Sequence, residues 1–121
     1  MKANYEEIED MSKYSTAETK VGTWIDGKPI YRKVIEVTSG FDTYMFVPHG
    51  ITNLDSLVDV RGWHYTLGFK PLPTIYLPNI SNYGASIYTV SGSNIEISLG
   101  SWVTQNVSKI VIIIEYTKTT D

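Results

Sequence analysis

Along most of this chain, apolar and polar residues alternate with a period of two, the spacing of strands that bury one face. Asp26-Gly27 lies between Gly22-Thr23-Trp24-Ile25 and Lys28-Pro29-Ile30-Tyr31, a pattern that predicts a hairpin. Lys28–Thr38 then reads as a long strand with Tyr31, Lys33, Ile35 and Val37 on one face and Ile30, Arg32, Val34 and Glu36 on the other. Neither face is cleanly apolar, so the strand is expected to be covered on both sides. Phe41–Val47 reads as the next strand, closed by Pro48-His49-Gly50. Leu57–Val60 and Gly62–Phe69 follow, and Thr74–Leu77 is predicted as a short edge strand among Pro71, Pro73 and Pro78. Ser86–Val90 and Asn94–Leu99 are predicted to pair through Ser91-Gly92-Ser93. Ile95, Ile97 and Leu99 alternate there with Glu96 and Ser98. The last strand, Lys109–Thr117, is apolar on both faces, which predicts a central position or a subunit interface.

About seven or eight short strands with turn signals at short intervals indicate an all-β chain, a compact antiparallel β-sandwich or jelly roll. The beginning differs. Tyr5, Ile8 and Met11 fall at helical spacing within an acidic stretch, so residues 1–13 are predicted as a short helix or arm, and residues 14–121 as one β domain.

Composition narrows the function classes. The chain has 121 residues, 42% of them hydrophobic and 19% charged, which fits a folded domain rather than a disordered segment. The net charge is −3 and the basic residues are scattered, so no stripe exists to track a nucleic-acid backbone. The longest apolar run, Ile110–Ile114, is far short of the about twenty residues a helical membrane span needs. The opening MKANYEEIED has no apolar core of a secretory signal. With no cysteine, disulfides, thiolate metal sites and cysteine nucleophiles are all excluded. A small domain without such staples is expected to gain stability by self-association.

Candidate chemistry is sparse. His49 and His64 could share a metal with Asp55 or Asp59, but their separation matches no ligand motif, and no metal or cofactor is assigned. Asp26, Asp42, Asp55, Asp59 and Glu96 could supply a carboxylate pair of the glycosidase kind. No nucleophile elbow, phosphate loop or zinc helix motif accompanies them, so no catalytic residue is named and the expectation is a non-enzyme. The aromatic nine-tyrosine, three-tryptophan composition offers more. Trp63, His64, Tyr65, Tyr83, Trp102 and Gln105 form the candidate ligand surface, since sugar C–H faces stack on rings while flanking polar groups hold hydroxyls. Each tryptophan serves equally well as a core anchor, and both readings stand at this point. Val34, Ile35, Ile110, Ile112 and Ile114, on the two strands without a clean polar face, form the candidate oligomer interface.

The stretch Tyr14 to Arg32, YSTAETKVGTWIDGKPIYR, resembles a block in bacteriophage structural proteins that reads roughly YSTxExxxGxWxDGKPxYR. There it opens the C-terminal domain of tail, baseplate or fibre proteins. Asn53–Gly62, NLDSLVDVRG, is similar to that family's middle block, and Glu115–Asp121, EYTKTTD, to its frequent ending. The resemblance implies a virion component made in the bacterial cytoplasm, with other virion proteins as partners and cyclic threefold symmetry. It implies a tail or baseplate fibre-type module binding the host surface, expected to be carbohydrate. In the alternative reading the chain is a capsid head-fibre or decoration protein anchored by its N-terminal arm. In the family's larger members the first block follows long shaft regions, whereas here thirteen residues precede it. This favours a short particle-attached protein or an excised terminal module. An unrelated sugar-binding module and a polysaccharide hydrolase are the remaining readings.

Overall fold

The computed structural model describes residues 14–73 and 80–119. The expected N-terminal helix or arm and the expected strand Thr74–Leu77 lie outside the described residues. The fold is all-β, and the described residues form eight strands in two antiparallel sheets. The strands are β1 (Thr19–Thr23), β2 (Pro29–Val37), β3 (Tyr44–Pro48), β4 (Leu54–Tyr65), β5 (Phe69–Leu72), β6 (Ala85–Val90), β7 (Asn94–Leu99) and β8 (Lys109–Lys118). Among the described residues two short helices interrupt them, α1 (Ile80–Tyr83) and α2 (Ser101–Asn106). Five strands form one sheet in the order β1-β2-β8-β4-β5, and three form the other in the order β3-β7-β6.

Local chemistry explains both predicted hairpins. Between β1 and β2 the Asp26 carboxylate accepts from the Lys28 N–H at 3.0 Å, and Gly27 takes a positive φ of 89°. Between β6 and β7 the Ser91 hydroxyl oxygen accepts from the backbone N–H groups of Ser93 and Asn94 at 3.3 and 3.0 Å.

By internal contacts the chain falls into two compact units. Within the described residues the first comprises 14–35, 52–60 and 113–119. Its interior holds Val21, Ile35, Ile114 and Tyr116. Polar ties run between the strands around it. Lys28 pairs with Asp55 at 2.7 Å, the Tyr116 hydroxyl donates to Glu18 at 2.6 Å, and Lys118 pairs with Glu18 at 3.0 Å. Tyr31 stacks on Tyr116. Arg32 is buried, pairs with Glu115 at 3.4 Å and lies over the Tyr14 ring.

The second unit comprises, within the described residues, 36–51, 61–73 and 80–112. Met45, Val47, Ile51, Ala85, Ile95, Ile97, Leu99, Val103, Val107, Ile110, Val111 and Ile112 are buried in it. Each fully buried branched side chain contributes about 1.5–3 kcal/mol of transfer free energy, so this cluster is the larger share of the drive to fold.

The largest differences from the sequence reading lie in β4 and β5. β4 runs straight through Arg61-Gly62, where a break was expected, because Gly62 lets the strand lie close to β8. A Cβ there would overlap the Val111 carbonyl oxygen and sit 3.2 Å from the Ile112 Cα. The expected strand Gly62–Phe69 instead folds back on itself at Thr66–Gly68, so that Tyr65 pairs with Phe69 and His64 with Lys70. Leu67 adopts a left-handed φ of 55° to make that turn.

The two-sided apolar strand Lys109–Thr117 is indeed central, between β2 and β4. This corrects the interface expectation. Ile110, Ile112 and Ile114 are completely buried and Ile35 nearly so within the single chain, so its own residues cover them and no second subunit is needed. Val34, the remaining expected interface residue, is half-buried.

Candidate functional site

The second unit carries the exposed aromatic side chains of the sequence-derived site. On β4, Trp63 and Tyr65 point to the same face, as alternate residues of a strand must. The tight turn at Thr66–Gly68 brings β5 alongside and places Phe69 opposite Tyr65. The Phe69 ring meets Tyr65 at 4.9 Å and 81°, and Trp63 at 5.3 Å and 74°. These are edge-to-face contacts, the arrangement that ring quadrupoles prefer. Phe69 is 75% exposed and Tyr65 39%, so the group packs against itself while offering its outer surface to solvent. The strand end is fixed from behind, since the Ser108 N–H donates to the Tyr65 carbonyl at 2.9 Å.

His64 does not belong to that surface, which corrects its place in the expected site. It points to the opposite face of β4 and is fully buried, with Nδ1 2.6 Å from the Thr66 hydroxyl. Burial lowers its pKa, and the nearby Lys70 charge lowers it further. Lys70 itself donates to the Thr66 carbonyl at 2.6 Å. His49 is equally interior. Its Nδ1 accepts from the Ile51 N–H at 3.0 Å, which leaves Nε2 to donate to the Ser91 carbonyl at 2.8 Å. Both imidazoles are thus tied into the fold, and among the described residues no three acidic, histidine or cysteine side chains converge as a metal cage.

The remaining expected residues gather on the two helices. Tyr83, at the end of α1, lies 5.3 Å from Trp102 with the rings tilted by 47°. The Ser101 hydroxyl donates to the Asn82 side-chain oxygen at 3.0 Å, joining the same two elements. Helix α2 was not expected. It is a single short run capped at Gly100, buries only Val103, and leaves Gln105 exposed and Trp102 half-buried.

A further ring group escaped the sequence reading. Tyr44 and Phe46 alternate outward on β3, and Tyr88 joins them from β6 on the far side of β7. Tyr44 meets Phe46 at 5.2 Å and Tyr88 at 5.9 Å, in both cases nearly perpendicular. Its hydroxyl donates to Glu96 on β7 at 2.5 Å. The signal was present in the alternation Tyr44-Met45-Phe46-Val47. Its meaning depended on which strands lie side by side.

Comparison with protein-family models, with curated proteins and with solved structures finds no match to this chain.

Proposed function

We propose that this chain is a non-enzymatic component of a bacteriophage virion, a tail or baseplate fibre-type module that binds host-surface carbohydrate. The observation that carries the binding reading is the Trp63–Tyr65–Phe69 ring face. Three rings sit on paired strands rather than on a free loop, so little conformational entropy is lost when a ligand settles on them. Sugar rings bury their C–H faces against such surfaces and lose few hydroxyl hydrogen bonds in doing so. The virion reading rests on the blocks Tyr14–Arg32, Asn53–Gly62 and Glu115–Asp121. Trimeric assembly belongs to the same proposal and rests on the same blocks.

Glycan-array binding and adsorption to host envelopes by the purified chain test the binding reading. Phe69→Ala and Tyr65→Ser remove exposed ring surface, so the fold is retained and binding falls by about tenfold. Unchanged binding by both variants would overturn this site. Light scattering tests the trimer, and a monomer at working concentration rejects it.

A further inference from the structure

The outer face of the three-stranded sheet differs from the hairpin in one respect that selects a ligand, which is charge. Its strands read YMFVP, ASIYTV and NIEISL, with no Lys, Arg or His and one carboxylate, Glu96. Glu96 is central on that face. It pairs across β7 with Phe46 on one side and Thr89 on the other. The β6–β7 register shifts between Ile87 and Thr89, and the extra residue at that irregularity is Tyr88, which is 69% exposed. Tyr44 and Phe46 are 44% and 58% exposed. Two rings therefore stand nearly perpendicular to Tyr44, Phe46 from its own strand and Tyr88 from β6 across β7, beside a half-buried carboxylate.

Ring faces carry negative quadrupole potential, and a carboxylate adds a full negative charge to it. The Tyr44 hydroxyl holds that carboxylate in place. Its hydrogen bond to Glu96 pushes the phenol pKa up to about 12, so the proton stays on Tyr44 throughout the physiological range. A compact, strongly hydrated cation gains little here because it must shed its water. A cation whose charge is spread over methyl groups sheds little and presents apolar surface to every ring.

We propose that Tyr44, Phe46, Tyr88 and Glu96 form a binding site for a trimethylammonium group. The group is carried by a soluble or polymer-borne ligand rather than by a zwitterionic bilayer. A bilayer would set a phosphate beside each ammonium, and this sheet offers no base to meet it. The site is separate from the Trp63–Tyr65–Phe69 face and stands independently of the ligand proposed there.

Titration of the full chain with choline, followed by the ring proton signals of Tyr44, Phe46 and Tyr88, tests the inference. The neutral isostere 3,3-dimethyl-1-butanol serves as the comparison. Choline is expected to bind about tenfold more tightly than the isostere. Glu96→Gln still accepts from Tyr44 but lacks the charge, so it lowers that preference to what the rings alone supply. Phe46→Ala weakens choline binding, whereas Phe69→Ala does not. Choline-bearing polymer beads retain the protein, and phosphatidylcholine vesicles do not. Equal affinity for the two probes, a preference undiminished in Glu96→Gln, or retention by vesicles without binding of free choline overturns the proposal.

Discussion

Gly62 on β4 and Val111 on β8 approach so closely that no side chain fits between them, and a Cβ at 62 would overlap the Val111 carbonyl oxygen. Backbone rather than a flexible side-chain end occupies that space, so relief requires the strands to separate. Gly62→Ala is expected to cost about 3 kcal/mol. Urea unfolding of the variant measures this, and a loss well under 1 kcal/mol would show that β4 and β8 are not packed as described.

The Tyr116 hydroxyl is the next point to probe. It donates to Glu18 from a buried ring, and burial together with that carboxylate raises its pKa far above the ordinary phenol value. Tyr116→Phe keeps the stack on Tyr31 and removes one hydrogen bond to a charged group. A loss of about 1–2 kcal/mol follows. In a double-mutant cycle with Glu18→Gln, additive losses would mean that the two side chains do not interact.

Leu67 holds a left-handed backbone conformation at the tip of the β4–β5 hairpin with 71% of its surface exposed. A side chain there loses little packing when replaced and gains relief from steric crowding. Leu67→Asn is expected to stabilise the chain by about 0.5–1 kcal/mol, because Asn tolerates this region far better than Leu. Thermal unfolding reads the change, and a fall in midpoint would assign Leu67 a packing role.

Acid sensitivity follows from His64. Its folded-state pKa lies below the ordinary value of about 6.5, so in this range the unfolded chain binds the extra proton. The stabilisation is complete above about pH 6.5 and is lost as the pH falls from there through the folded pKa. The urea midpoint should therefore drop as the pH falls below about 6.5, and the drop should be shallower in His64→Gln. An equal slope in both proteins would remove His64 as the cause.

What the sequence made legible was local. Asp26-Gly27 and Ser91-Gly92-Ser93 announce their hairpins because the side chains that bond each turn lie within a few residues. The two-sided apolar pattern of Ile110–Ile114 predicted burial on both faces, at the centre of a sheet or at a subunit interface, and the strand is central. Gly62 misled because a glycine that permits close approach looks, in one dimension, like a glycine that ends a strand. Leu67 misled in the opposite direction, since leucine gives no hint of a turn. His64 alternates into the interior beside two outward rings, and its partner Thr66 lies beyond the end of the strand. The Tyr44–Phe46–Tyr88–Glu96 face was hidden most deeply, because it exists only once β3, β7 and β6 are placed in register and the strand irregularity around Tyr88 is known.

The sheet order β1-β2-β8-β4-β5 has a bearing on biosynthesis. A ribosome delivers β2 and β4 long before β8, the strand that must lie between them. Until then each has an open edge, and the pairing that closes the sheet joins positions as far apart as Arg32 and Glu115. Such distant pairing places the chain among slow-folding β topologies and leaves sticky edges available to neighbours in the interval. Nascent copies made side by side on one message would meet in that state, where one open edge can pair with another.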